Sequence, residues 1–543
     1  MLSWLSGSIL VLPALLLACG LIPRGLANRR PRDVYRLVLG LILAALAVAL
    51  VAPLVLARQG VIETVLARAE WPLDVTLGIH YDNLAAVMFL LISFIGCVIV
   101  HFSRRYLAGE QTQGRFLAWV GFTLGAVLLL VVSRNLVMFT GAWMLTSLGL
   151  HQLLTHYADR PAAILAARKK FVISRLGDLM LLGALALTYQ SFSTLEYSAL
   201  FEAARAWQAT GAPVDATTSL IGTLFVLGAM TKSAQVPVHS WLPDTMEAPT
   251  PVSALMHAGI INAGGFLVIR LSPLVSLSHL ALDLLAVVGG VTALIGGLAM
   301  MTQTSIKRAL AYSTIAQMGF MMLQCGLGAF SGALLHIVAH ALYKAYAFLN
   351  SGENPARDWT AAAQGDPGIT TVRDRWLLPL AGGAALAICL GFSTLLETLL
   401  PDRPGTLVLE LVLVLALTQL LWNAWRSWRW PVAAAGLASA AALCLSYHAS
   451  YFLMDRLLAG SVAHKVVASW RIDILLQGTI MAGFVALFVL LAAREIPAQS
   501  PLFRRFYVHA LNGFYVDLAA HRLVAHLAGQ RQATQPRPQQ HPT

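Results

Sequence analysis

Apolar runs of bilayer-spanning length follow one another along almost the whole chain, and no other feature constrains its fold as strongly. They fall at roughly 3–23, 37–57, 84–102, 117–133, 136–156, 168–188, 218–242, 251–272, 282–303, 308–327, 331–350, 376–398, 405–424, 431–449 and 473–493. A helix needs about 20 apolar residues to cross roughly 30 Å of hydrocarbon, and every backbone polar group in that medium must find its partner inside the protein. The runs therefore predict an all-α, polytopic membrane protein of about fifteen transmembrane helices. Composition agrees, since 58% of the 543 residues are hydrophobic and only 11% are charged, against about 25% charged in a soluble domain. The first run leads into a basic loop without a small-residue cleavage site, which reads as a retained span rather than a signal peptide.

The net charge of +12 lies in short segments between the runs and not along one polar face, so it sets orientation rather than marking a nucleic-acid surface. Arg24, Arg29, Arg30, Arg32 and Arg36 follow the first run. Arg104 and Arg105, then Arg160, Arg168, Lys169 and Lys170, then Lys307 and Arg308, Arg426 and Arg429, and Arg494, Arg504 and Arg505 recur on the same side. The positive-inside rule makes that side cytoplasmic, with the N-terminus outside and the C-terminus inside a cell inner membrane. Outer loops 58–83 and 189–217 are too polar to cross and long enough to form small caps. Residues 505–528 interleave Phe506, Val508, Leu511, Phe514 and Tyr515 with His509, Asp517, Arg522 and His526, as an interfacial or partner-binding helix would. The Gln-, Pro- and Arg-rich stretch 529–543 is expected to be disordered. Cys19, Cys97, Cys325, Cys389 and Cys444 lie in apolar runs without metal-ligand spacing, which assigns them to packing.

An ionisable side chain deep in a bilayer costs roughly 2.5–3.5 kcal/mol even on lenient scales, so each one retained there needs a partner or a wet path. Lys232 is such a residue, in TKSAQVPVHSWLPDTMEAPTPVSALMH. Pro237, five residues on, removes a backbone hydrogen bond, so the helix should break near Lys232 and leave carbonyls free for water or a cation. His257 follows on the next span, and Asp178 precedes in FVISRLGDL, three residues after Arg175. Asp178 has two readings: an intrahelical pair with Arg175, or a counter-ion to Lys232. His257 is a relay if the helices pack together there, and otherwise a satisfied packing histidine.

LLHIVAHALYKAYAFL places His336, His340 and Lys344 at i, i+4 and i+8, one helix face extending about 12 Å. Their titration ranges suit proton relay. Two histidines at that spacing could also hold zinc, but His257 or Asp178 would have to complete the ligand set and Lys344 would oppose the cation. No Walker pattern or dinucleotide loop occurs, and the glycines of GGVTALIGG suit close helix approach. The chain reads as a transporter subunit and not as an enzyme.

The segments TKSAQVPVHSWLPDTMEAPTPVSALMHA (231–258) and QTSIKRALAYSTIAQMGF (303–320) resemble the proton-conducting membrane transporter family, over roughly residues 80–400. That family includes the antiporter-like subunits of respiratory complex I and of multisubunit cation/proton antiporters. The resemblance implies two inverted five-helix repeats, here 117–272 and 282–424, each with one broken helix. Residues 1–116 and 425–500 then supply flanking transmembrane helices, and 501–543 an amphipathic helix and polar tail. It also implies that Lys232 is the central lysine of the first half-channel, His257 its relay, and His336, His340 and Lys344 the connecting path.

Three departures stand out. The family's glutamate after the fifth-span tryptophan is Met144 here, next to Trp143. Its twelfth-span GF-x-SKDE-like segment reads GFSTLLE, with Thr394 and Leu395 where the lysine would be and Glu397 as the nearest ionisable group. The long lateral helix of the largest complex I subunit has no counterpart after NGFYVDLAAHRL. With HALYKAYAFLNSG as the local cue, the chain is most similar to the membrane-subunit branch of two-component inorganic-carbon accumulation complexes. For that branch the resemblance implies a large zinc-containing, β-carbonic-anhydrase-like partner on the cytoplasmic side, with the zinc on the partner and no cofactor in this chain. Proton or sodium flow would then drive CO2 hydration to bicarbonate. The alternatives are a subunit of an NADH-quinone oxidoreductase or cation/proton antiporter, and a non-conducting scaffold.

Overall fold

The computed structural model describes residues 2–69, 75–210, 214–352, 372–397, 406–463, 470–492, 501–518 and 522. It is mostly helical. The helices that matter for function are α1 (Leu2–Ala18), α2 (Pro31–Gln59), α3 (Asn83–Tyr106), α4 (Gln113–Val132), α5 (Leu136–Leu154), α6 (Pro161–Phe192), α7 (Tyr197–Thr210) and α8 (Ala216–Lys232). After a break come α9 (Thr250–Ala258), α10 (Ala263–Arg270), α11 (His279–Thr302), α12 (Ile306–Gly326) and α13 (Phe330–Leu349). The chain continues through α14 (Val372–Glu397), α15 (Thr406–Trp425), α16 (Trp430–Leu458), α17 (Trp470–Ala492) and α18 (Pro501–Leu511). Eleven helices among the described residues are long and apolar enough to cross a membrane. That is fewer than the fifteen expected: α8, for example, stops at 17 residues.

One end of the bundle is closed by structure that an all-α reading misses. Loop 58–83 forms an antiparallel hairpin, β1 (Ile62–Ala69) and β2 (Val75–Tyr81), paired from Ile62↔Tyr81 with an irregularity between Val65 and Ala67. Loop 189–217 contains α7. Side-chain caps start four helices at this end: Asp82 accepts from Ala85 N, Asn135 from Met138 N, Asp215 from Thr218 N and Ser278 from Ala281 N. The hairpin is latched to the bundle by polar contacts. Arg134 reaches Glu63 at 3.1 Å and Glu196 at 3.0 Å, and Glu196 accepts from Thr76 Oγ1 at 2.7 Å. At its base Arg270 makes two bonds to Asp82, 2.7 and 2.9 Å, with both side chains buried.

Glycine determines how closely α11 and α12 pack. A Cβ on Gly289 would lie 2.5 Å from Leu323 N, on Gly296 2.6 Å from Ala316 N, on Gly319 2.4 Å from Ala293 N and on Gly326 2.4 Å from Ala286 N. Each clash is with backbone, which no rotamer change relieves, so GGVTALIGG does permit close helix approach.

Two further expectations need amendment. Arg168, Lys169 and Lys170 are not loop charges, because α6 begins seven residues earlier than the apolar run, with Pro161 in its first turn. Lys169 and Lys170 are buried within it. The interior breaks lie at 233–240 and at 259–262, both between α8 and α10, whereas α11 to α15 each run without a break among the described residues. The tail 529–543 and His526 lie outside the described residues.

Two outcomes follow. Gly319→Val should force α11 and α12 apart and cost about 1–3 kcal/mol, read as a lowered melting temperature in detergent. The second concerns Glu63, whose carboxyl is held below its ordinary value by the His80 hydrogen bond at 2.8 Å, against partial desolvation and aided by the charges of His80 and Arg134. A depressed carboxylate stabilises the fold above its unfolded pKa and loses that contribution as pH falls through the folded one. Hydrogen exchange in 62–81 should therefore quicken on acidification below the carboxylate range, and Glu63→Gln should remove that dependence.

Candidate functional site

Three buried cation clusters lie inside the bundle. The first is organised on one turn of α5. Lys232 ends α8, and its Nζ donates to Trp143 O at 2.9 Å, Thr146 Oγ1 at 2.5 Å and Ser147 Oγ at 3.2 Å. An ammonium has three N–H groups, and here are three acceptors. The Trp143 ring lies 4.1 Å from Nζ, a cation–π contact. The partners of Lys232 on this turn are thus neutral oxygens, with Met144 where the family has its glutamate. Lys170 of α6 reaches the same turn and donates to Ser147 O at 2.9 Å. Asp178 is buried and pairs with Arg175 at 2.6 Å. It makes no hydrogen bond to Lys232, so of its two readings the Arg175 pair is the one made as a direct contact. Close approach is built in at Gly177, where a Cβ would lie 3.4 Å from Gly228 O and would collide with Thr231 Oγ1.

The helix breaks after Lys232, as Pro237 leads one to expect. Four carbonyls of the break are bonded within the protein: Ala229 O by Ser233 N, Met230 O by Gln235 N, Thr231 O by Trp241 Nε1 and Ser233 O by Gln235 Nε2. Val236 N donates to Thr292 Oγ1.

The second cluster joins α9, α12 and α13. His257 is fully buried and stacks on Phe348 with centroids 4.3 Å apart. Its Nδ1 lies 2.9 Å from Thr314 Oγ1, Thr314 donates to Leu310 O at 3.0 Å, and Lys344 Nζ donates to the same carbonyl at 3.2 Å. With the Thr314 proton committed to Leu310, His257 Nδ1 is the donor, which leaves its buried Nε2 without a partner. One carbonyl thus ties His257 to Lys344. His340 is buried between them and His336, its ring 6.1 Å from that of His336, and neither of its nitrogens has a partner. His336 Nδ1 donates to Gln324 Oε1 at 3.1 Å. The structure therefore brings His257, His336, His340 and Lys344 together, whereas Asp178 belongs to the other cluster. Of Glu397 only its place at the end of α14 is described.

The third cluster was missed by sequence reasoning. Lys169, fully buried, donates to Ser240 O at 3.0 Å and Asp244 Oδ2 at 2.9 Å, and also bonds the carboxylate of Asp517. Asp517 comes from the C-terminal segment, which lies across the bundle end opposite the hairpin. There Gln303 Nε2 donates to Leu511 O at 3.2 Å, and a Cβ on Gly513 would meet Tyr312 Oη. The signal for Lys169 and Lys170 was Pro161, a helix-starting residue upstream of both.

The amines and imidazoles of the first two clusters are neutral-or-cationic groups held by neutral oxygens, an arrangement that can take up and pass on protons. Comparison with known proteins agrees with that chemistry. The family model described as NADH:quinone oxidoreductase/Mrp antiporter, TM, matches residues 133–359, and that described as complex I chain 5 N-terminus matches 71–117. A protein named as a probable inorganic carbon transporter subunit, DabB2, of Halothiobacillus neapolitanus is 38% identical over 455 residues, 82% of this chain and 80% of that one. The chain belongs to this antiporter-like membrane subunit family. Within the family, a probable inorganic carbon transporter subunit of Hydrogenovibrio crunogenus is 44% identical over 50% of this chain and 52% of its own. NADH-quinone oxidoreductase subunit L of Mycobacterium tuberculosis is 40% identical over 52% and 44% respectively. The Mrp complex structure from Dietzia sp. DQ12-45-1b matches with a TM-score of 0.64 and 25% identity, over 97% of this chain and 60% of the matched chain. Lys170, Asp178, Lys232, His257, His336, His340 and Lys344 all fall inside the 133–359 match.

Lys169→Met should leave Asp244 and Asp517 facing each other without their cation. Breaking a buried pair costs about 3–5 kcal/mol, and that loss should surface as faster hydrogen exchange or proteolysis at 501–518, with α5 and α8 unaffected.

Proposed function

We propose that the chain is a cation-conducting membrane subunit, carrying protons or sodium ions, that energises inorganic-carbon uptake in a complex of the cell inner membrane. One observation carries the reading: two buried clusters of exchangeable groups, Lys170 with Lys232 on the oxygens of one α5 turn, and His257 with Lys344 joined through Thr314 and Leu310 O with His340 between them. Charge at such depth is expensive and marks ion pathways. Cation movement runs through Lys232, His257, His336, His340 and Lys344, with Asp178 and Arg175 biasing the charge of Lys232 and Pro237 ending the helix that presents it. The reading takes 117–272 and 282–424 as the two inverted half-channels among about fifteen spans, with the N-terminus outside and the C-terminus cytoplasmic. The partner is a large zinc-containing, carbonic-anhydrase-like protein on the cytoplasmic side, where the 501–518 segment and its basic neighbours offer the docking face. Relatives named as inorganic carbon transporter subunits support this choice.

The relative named NADH-quinone oxidoreductase subunit L favours a second reading, a proton-translocating subunit of an oxidoreductase or multisubunit antiporter. Purification from native membranes in mild detergent separates them. A single large zinc-containing partner supports the first reading, and a set of quinone-reductase or antiporter subunits overturns it. In reconstituted liposomes, Lys232→Ala and Lys344→Ala should each lower cation flux by about tenfold or more, as loss of a proton-transfer group does, with the complex still assembled. Unchanged flux in both variants would make the chain a scaffold.

A further inference from the structure

An acid within an apolar helix needs a reason as much as a lysine does. α15 begins TLVLELVLVL and carries Glu410 in its second turn, half-buried. Ser393 of α14 donates to Glu410 Oε1 at 2.9 Å. One turn before Ser393 lies the buried thiol of Cys389, 3.9 Å from the buried thiol of Cys444 on α16. His448, one turn beyond Cys444 on α16, places Nδ1 2.9 Å from Cys444 O, and its buried Nε2 has no partner. Ala381, Ala385, Leu417, Leu421 and Ala440 fill much of the α14–α15–α16 seam, where Thr418 is also buried. From α17 the side chains packed beside Val408 are Leu476, Ile480 and Phe484. Polar groups from three helices therefore converge at one place in a region otherwise built for hydrocarbon.

α16 in turn lies against α13 of the second cluster, where a Cβ on Gly332 would come within 2.9 Å of the Tyr451 ring, three residues after His448, and 3.5 Å of the Gln324 amide that holds His336.

We propose that Glu410 is a proton-carrying group of the conduction path, positioned by Ser393, with His448 as its neighbouring exchange group. The proposal rests on the conduction reading above and takes H+ as the ion. A proton arriving from the His336 side converts the carboxylate to a carboxylic acid, and its release on the far side restores the carboxylate. No heavy-atom bond changes and no oxidant is needed.

The test is proton flux in liposomes reconstituted with the purified complex. Glu410→Gln, which keeps the shape but cannot exchange a proton, should lower flux by about tenfold or more, while Glu410→Asp restores most of it and Ser393→Ala shifts the pH profile. Flux lost in Lys232→Ala but retained in Glu410→Gln overturns this inference alone. Absence of flux from the wild-type complex overturns the conduction reading and this inference with it. Should Glu410→Gln fail to assemble, Ser393→Ala decides: a displaced pH profile supports the role and an unchanged one removes it.

Discussion

Lys232 is held in the bundle by three oxygens of one helical turn and the face of one tryptophan, and much of the central architecture exists to make that possible. Its three donors meet Trp143 O, Thr146 Oγ1 and Ser147 Oγ. Neutral oxygens satisfy an ammonium without fixing its charge as a carboxylate partner would, so a proton held there can leave without stranding an anion. Lys170 meets the same turn through Ser147 O, so the two amines share one acceptor residue. On the conduction reading, a position equipped in this way acts as a switch rather than as a structural ion pair.

The backbone follows from the same constraint. α8 has to stop at Lys232 for the amine to point across to α5, and stopping a helix within a bilayer frees carbonyls that hydrocarbon cannot solvate. Ser233, Gln235 and Trp241 take up four of the carbonyls around the stop. The second interruption, at 259–262, follows His257 directly, and Asn262 Nδ2 donates back to Ala258 O at 2.8 Å to close it. Both breaks sit beside an exchangeable group, and both are buried among neighbouring helices. Glycines at 289, 296, 319 and 326 bring α11 against α12, so that Thr292 can reach Val236 N and Thr314 can reach His257.

How much of this could be read from the sequence depended on whether the signal was local. The His336, His340 and Lys344 ladder was legible because helical spacing alone puts the three on one face. The stop at Lys232 was legible from Pro237, and the close approach of α11 from its glycine pairs. Lys169 and Lys170 were hidden by position, because hydropathy begins the span at 168 whereas Pro161 begins the helix. The hairpin was invisible because its stability comes from Arg134, Glu196 and Arg270, residues far from it in the chain. Asp517 illustrates the same limit: nothing near it in sequence points to a lysine 348 residues away. Glu410 was in plain view as an acid in an apolar run, and only the position of Ser393 and His448 gives it meaning.

The distribution of buried charge supplies one further step. The first cluster sets Lys170, Lys232 and Arg175 against Asp178, and Lys169 is matched by Asp244 and Asp517 at the end of the bundle. Between Thr314 and Gln324, by contrast, His257, Lys344 and His336 are held by a hydroxyl, a carbonyl and an amide, with His340 unpartnered among them, and by no carboxylate among the described residues. Such a row transmits a proton only if a group beyond it can take the proton up, because charge retained among neutral oxygens in hydrocarbon is costly. The neighbouring seam contains an acid in the adjoining layer of helices, held by a serine that can follow either protonation state by turning its hydroxyl. The second cluster is thus unlike the ion pairs elsewhere in the bundle, because its cationic groups are not neutralised by a carboxylate among the described residues. On the conduction reading proposed above, that difference separates a path along which charge moves from ion pairs that hold helices together.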